Sequence, residues 1–218
     1  MITHHIPDDL LMGYAAGGLS EAFDLVVASH VSLNDDARAR LSSFEALGGA
    51  VLEGAETAEL ADDSFEATMA RIMGTAPADT VREEANAPAR HATFPKCLRD
   101  YVGGDIEAVQ WRPVGMGVKQ AVLPTGDCEA TARLLYIPAG QAMPYHGHNG
   151  VEVTLVLQGA FIYEDGLFAR GDIEVATQET EHTPVADIGE DCICLVVMDA
   201  PLRFNGLLPK IAQKILRI

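Results

Sequence analysis

The spacing of apolar positions changes once along the chain, near residue 90, from a three-to-four-residue period to short runs of strand-forming residues. Residues 1–75 predict four helices. The first, over residues 7–16, begins at a proline suited to a first turn, carries Leu10, Leu11 and Tyr14 on one side and ends at Gly17-Gly18. Ser20 is placed to cap the second, in which Phe23, Val26, Val27 and His30 share a face. Asp35 and Asp36 put negative charge at the start of the third, which runs to about Leu52 with Leu41, Phe44, Leu47 and Val51 as its apolar stripe. Asp63-Ser64-Phe65-Glu66 has the spacing of a capping box for a short fourth helix through Met73.

Residues 76–92 are rich in alanine, proline and charge without apolar periodicity, the composition of a linker. Beyond them, β-rich runs at 108–114, 118–123, 131–137, 151–157, 160–164, 173–176 and 192–198 are separated by Gly, Pro and Asp turns, which predicts an all-β sandwich or barrel. A last amphipathic helix is expected over 205–217, with Leu207, Leu208, Ile211 and Ile215 on its buried face. The predicted fold is α+β in two domains: a helical bundle over 1–75, a linker over 76–92, and an all-β domain with a terminal helix over 93–218.

The β-rich part carries the chemistry. It contains Gly140-x5-His146-x-His148-x3-Glu152-x6-Gly159, and a further histidine, His182, follows the turn pair Gly171-Asp172. His-x-His places two rings on one side of a strand, and Asn149-Gly150 reads as a tight turn that returns Glu152 toward them. Three neutral imidazoles and a carboxylate suit Zn, Fe, Mn, Ni or Cu, so His146, His148, Glu152 and His182 are expected to hold one divalent metal ion.

The chain has 15 Lys and Arg against 32 Asp and Glu, a formal net charge of −17 at pH 7. Phosphate contacts need clustered cations, so this balance argues against direct nucleic-acid binding. Residues 1–90 hold 16 acids and 5 bases, so the helical part is the more acidic; that fits a basic protein partner or simply a solvated face. No stretch approaches the ~18 uninterrupted apolar residues of a membrane span, and the N-terminus lacks a basic-then-apolar export pattern, so the expected location is the cytoplasm, with no membrane partner. Cys97 and Cys128 stand alone, while Cys192 and Cys194 alternate on one strand face; all four are expected as buried, reduced thiols.

The motif G-x5-H-x-H-x3-E-x6-G, with a later Gly-Asp and His, matches the cupin pattern, a small jelly roll. The likeness extends over the chain from about residue 4: through residues 4–33, 146–161, 171–186 and 191–197 it resembles the ChrR-type anti-sigma factors, a helical anti-sigma domain joined to a C-terminal cupin. The resemblance implies a helical domain that binds an extracytoplasmic-function sigma factor, and a cupin whose metal centre governs release under oxidative stress. It places the cupin zinc ligands on His146, His148, Glu152 and His182.

The helical part departs from that family. Relatives carry an early His and then H-x3-C-x2-C, which together bind a structural zinc. Here His5 and His30 match, but Asn34 and Ala37 stand where the two cysteines belong. Thiolate ligands supply most of a structural zinc site's stability, on the order of 10 kcal/mol in small fingers, so no intact second zinc site is expected. His30 is instead expected to hydrogen-bond to His5 or Asn34, with Asp35 or Asp36 capping the third helix. Trp111 is expected to cover the barrel end, Arg133 and Arg203 are candidates for an anionic ligand, and Glu179, Glu181 and Tyr136 are the other titratable groups near the motif. A homodimer stays open, as does a second reading: a cupin metalloenzyme, dioxygenase or isomerase, with the helices serving oligomerisation.

Overall fold

The computed structural model describes residues 2–74, 92–126, 129–163 and 166–204; the helix expected over 205–217, and the linker apart from Ala92, lie outside these residues. The chain forms two compact units, Met1–Gly48 with Thr93–Ile218, and Gly49–Ala92.

The first unit contains helices α1 (Asp8–Ala15), α2 (Glu21–Leu33) and most of α3 (Asp35–Glu53), then α5 (Lys96–Val102). Its strands are β1 (Arg112–Gly115), β2 (Val118–Val122), β3 (Thr131–Ile137), β4 (His146–His148), β5 (Glu152–Gln158) and β6 (Ala160–Tyr163). They continue as β7 (Gly166–Ala169), β8 (Ile173–Ala176), β9 (Glu181–His182), β10 (Val185–Ala186), β11 (Cys192–Met198) and β12 (Leu202–Phe204). One antiparallel sheet has the order β1-β2-β3-β11-β5-β8; two smaller sheets, β10-β6-β7 and β12-β4-β9, complete the jelly-roll sandwich.

The sequence of β11 shows why the helices belong to this unit. All seven of its residues are buried, which a sheet with one wet face does not allow. Cys192, Cys194, Val196 and Met198 join the core between the sheets with Val156 and Phe161. Ile193, Leu195 and Val197 join a second core with Leu134 and Leu155, and there they meet Leu11, Leu25 and Val26 from α1 and α2. The apolar face of α2 therefore packs on the outside of the large sheet, where it contacts β3, β5 and β11.

Local chemistry differs from the sequence expectations in instructive places. Ser20 stands at the N-cap of α2, but its hydroxyl makes no capping hydrogen bond. α3 is capped by Asn34, whose Oδ1 accepts from the backbone N–H of Asp36 at 3.0 Å and Ala37 at 3.2 Å, so Asp35 and Asp36 contribute charge rather than the cap. Leu41 and Phe44 of the α3 stripe enter the core, whereas Leu47 and Val51 are exposed. The expected strand over 108–114 shortens to β1, preceded by a 3-10 turn at Ile106–Ala108 whose first N–H bonds to Asp105. α5 and the short strands β7, β9, β10 and β12 are additions that hydrophobic periodicity is too brief to signal.

The second unit carries α4 (Ser64–Gly74), which buries none of its residues. Phe65, Met69 and Met73 recur at four-residue spacing on one side and are exposed, Phe65 at 72% and Met73 at 80%. No helix among the described residues is long and apolar enough to cross a membrane.

Candidate metal centre

The four sequence-predicted ligands converge, although not through a hairpin. β4 lies in the β12-β4-β9 sheet and β5 in the large sheet, so Asn149-Gly150 is a bend that carries the chain between sheets. His146 pairs directly with His182 across β4 and β9, and Glu152 enters from the opposing sheet. One ligand atom from each of His146, His148, Glu152 and His182 lies within 4.8 Å of the others, and all four residues are buried.

The hydrogen bonds behind the rings decide which nitrogen faces inward. His146 Nδ1 lies 2.7 Å from the Pro144 carbonyl and His148 Nδ1 lies 3.1 Å from the Thr180 carbonyl. A carbonyl only accepts, so each Nδ1 carries the proton and each Nε2 presents a lone pair. His182 Nδ1 lies 3.1 Å from a Glu174 carboxylate oxygen outside hydrogen-bond geometry, a charge contact that favours the proton on Nδ1. The inward atoms are then three imidazole lone pairs and a carboxylate: His146 and His182 Nε2 lie 3.0 Å apart, and His148 Nε2 lies 3.8 Å from Glu152 Oε1. His148 Nε2 is buried with no hydrogen-bond partner. Acceptors turned on one another in a dry site repel unless a cation stands among them, so this donor set fits a divalent metal. Burial holds His146 below the usual histidine range, in the neutral form a metal requires. For His148 burial acts the same way but is outweighed by Glu152, which raises it.

The other candidate residues separate cleanly. Arg133 is buried beside the cluster, donates to Gln120 Oε1 at 3.0 Å and lines the same cavity as Glu152. Arg203 instead pairs with Glu181 at 2.6 Å, and Glu181 also accepts from the Tyr145 hydroxyl, so neither is available to the cluster. Glu179 is exposed, and the Tyr136 hydroxyl donates to Asp191 on the far side of the sheet. Trp111 packs edge-on against Tyr136, away from the metal cavity. Cys192 and Cys194 do share a face, with sulfurs 3.5 Å apart. The neighbouring Cys192 and complete burial raise the Cys194 thiol well above the usual range, so it stays protonated. Glu174 is a buried carboxylate beside the cluster that motif spacing does not single out; its signal in the sequence is an acid among the apolar residues of β8.

Where the resemblance implies a second zinc, Asn34 Nδ2 lies 3.3 Å from His30 Nε2 and 3.4 Å from His5 Nδ1, while its Oδ1 caps α3. One amide thus bonds to both retained histidines and anchors the helix that a cysteine-bound metal would have held. Ala37 packs in the core. The N-terminal segment is fastened nearby: the buried Asp172 carboxylate accepts from the backbone N–H groups of Thr3 and His4, and the His4 ring stacks on Phe168 at 3.9 Å.

Residues 100–201 match the family described as the ChrR cupin-like domain. The anti-sigma-E factor ChrR of Cereibacter sphaeroides is 53% identical over 219 aligned positions, covering 100% of this chain and 99% of that protein. The crystal structure of Rhodobacter sphaeroides SigE in complex with the anti-sigma ChrR matches with a TM-score of 0.79 and 51% identity, over 91% of this chain and 100% of that one. An RmlC-like cupin protein from Ralstonia eutropha JMP134 is 26% identical over 45% of this chain and 68% of its own, with a TM-score of 0.40.

Proposed function

Because the chain belongs to the ChrR family of anti-sigma factors, we propose that it sequesters an extracytoplasmic-function sigma factor in the cytoplasm and releases it when its cupin metal centre is disturbed by oxidative stress. The observation that carries this reading is likeness along the whole chain to an anti-sigma factor captured with its sigma factor. Residues 1–75 form the sigma-binding part, residues 76–92 the linker and residues 93–218 the metal-dependent sensor. The exposed apolar stripe of α4, with Phe65, Met69 and Met73, supplies a helix face of the kind that docks in a partner's groove.

Zinc is the ion assigned to His146, His148, Glu152 and His182; iron, manganese and nickel accept the same donors. When bound, the ion neutralises the converging acceptors and ties the two facing sheets together. The second zinc of the family is replaced by the hydrogen bonds of Asn34, so the sigma-binding part folds without metal. A loss at the cupin centre reaches the helices through β8: Glu174 contacts His182, and Asp172, two residues earlier, holds the segment that leads into α1. Co-expression with the cognate sigma factor followed by co-purification tests the reading, and a well-folded chain that captures no sigma factor rejects it.

A further inference from the structure

Sulfur is distributed unevenly over the fold. Cys192, Cys194 and Met198 are buried between the sheets, and the Cys194 thiol stays protonated there. Peroxides attack a cysteine as its thiolate, so such thiols are poor targets. A methionine thioether has no proton to lose and reacts wherever an oxidant can reach it. Among the described residues Met12, Met69, Met73 and Met116 are exposed. Two of these share a face: Met69 and Met73 stand one helical turn apart on α4, at 40% and 80% exposure, in line with Phe65. The helix buries none of its residues, so both sulfurs meet solvent in the free chain.

These sulfurs belong to the stripe that the regulatory reading docks in the sigma factor's groove, where an apolar side chain is required. Gaining one oxygen turns the thioether into a polar sulfoxide whose oxygen needs a hydrogen-bond donor. We propose that Met69 and Met73 form an oxidation site: a peroxide that meets the sigma-free chain converts both to sulfoxides, and the oxidised helix no longer recaptures the sigma factor. The sulfur attacks the outer peroxide oxygen, and an S–O bond forms as the O–O bond breaks. Sulfur gives up two electrons; the proton of that outer oxygen passes to the departing alkoxide or hydroxide, which leaves as alcohol or water. Methionine sulfoxide reductases reverse the change and restore the stripe. The inference rests on the docking reading of α4 and deepens it. The metal cluster contains no sulfur, so the helix is a second oxidant-sensitive element, one that prolongs release.

Hydrogen peroxide is the probe, added to the zinc-loaded full-length chain alone and to its complex with the sigma factor. Peptide mass spectrometry, zinc content and sigma affinity are read on the same samples. In the free chain one added oxygen is expected at each of Met69 and Met73, with zinc retained and sigma affinity at least about tenfold weaker. In the complex both sulfurs should be protected, and a methionine sulfoxide reductase should restore binding to the oxidised chain. Each variant is compared with itself before and after peroxide. Met69→Leu with Met73→Leu should show no change, whereas Met12→Leu with Met116→Leu should respond as the unaltered chain does. If the paired α4 variant does not fold, Met73→Leu alone should keep only part of the response. An equal loss of affinity in the α4 leucine variant overturns the inference, as does equal oxidation in the complex. Sulfoxide at both positions with undiminished sigma binding also overturns it; protection in the complex would then keep the docking reading. A chain that captures no sigma factor before treatment rejects the docking reading and this inference together.

Discussion

His146 and His182 turn their Nε2 atoms toward each other at 3.0 Å, on directly paired residues of β4 and β9. His146 Nδ1 is bonded to the Pro144 carbonyl and His182 Nδ1 lies beside the Glu174 carboxylate, an arrangement that turns both Nε2 lone pairs inward, where a cation converts their repulsion into coordination. One zinc per chain is therefore expected by elemental analysis, and the loaded chain should melt at a higher temperature than the chelated one. His146→Ala should lose both the ion and the difference in melting temperature. A variant that keeps stoichiometric zinc would remove His146 from the ligand set.

The exposed stripe of α4 should be the place where charge disrupts partner binding without disturbing the fold. Phe65→Glu and Met73→Glu alter side chains that are mostly in solvent, so stability should change by about 0.5 kcal/mol or less. Affinity for the sigma factor should fall at least tenfold if these side chains act as interface anchors, since anchors commonly contribute about 2 kcal/mol or more. Ile188→Glu, at 86% exposure in the cupin, is the matched control and should bind as the unaltered chain does. Equal binding by all three would place the interface elsewhere.

The metal cluster was legible in the sequence because its ligand types and spacings are dictated by coordination chemistry. Its supports were not, since Pro144 and Thr180 act through backbone carbonyls that any residue could offer. The packing of α2 on the sheet had a faint trace in the unbroken apolar run Cys192–Met198, which alternation rules alone do not assign to two covered faces. Asn34 carried two roles at once, cap and histidine partner, and only the turn between α2 and α3 brings them together. Ser20 shows the reverse: the right residue type at the N-cap, with its hydroxyl turned away from that task.

Acid should loosen the helical part through His30. Burial pushes this fully buried ring down to about 4, a shift opposed by the Gly171 backbone and Asp172 and reinforced by His5 and Arg40. A histidine depressed on folding binds its proton more readily when unfolded, so its contribution to stability is complete above the ordinary value near 6.5. That contribution is lost as pH falls from there toward 4, on the order of 3 kcal/mol in all. Urea unfolding of the zinc-loaded chain across this interval should show the decline, and His30→Asn should flatten it. An unchanged slope in the variant would assign the acid sensitivity to other groups.

Placing cysteines at the two positions where the family resemblance implies them should create a second metal site. Asn34→Cys with Ala37→Cys places two thiolates beside His5 and His30, and zinc content should rise from one to two ions per chain. Asn34→Ala alone removes the α3 cap and the partner of His30, and should destabilise the chain by about 1–2 kcal/mol without changing its zinc content. If the unaltered chain already binds two ions, the hydrogen bonds of Asn34 are not a replacement for metal.

Asp172 is the joint on which communication between the two functions depends. Its carboxylate is 1% exposed and accepts from the backbone N–H groups of Thr3, His4 and Ala169. Burial raises its titration point, but those hydrogen bonds outweigh the effect and hold it below the usual carboxylate range. The stability it confers is therefore present above the ordinary value near 3.8 and is lost as pH falls through the lowered one. Asp172→Ala strands three N–H groups, at a cost of roughly 3 kcal/mol, whereas Asp172→Asn keeps one acceptor oxygen and should cost less. The more specific readout is coupling. In the unaltered chain, stripping zinc should weaken sigma binding, because the cluster, Glu174 and Asp172 lie in series with the segment entering α1. In Asp172→Ala the sigma affinity should become nearly independent of zinc, and amide exchange at Thr3 and His4 should become fast with or without the ion. If zinc removal weakens sigma binding equally in both chains, the signal takes another path, such as the direct packing of α2 on β11.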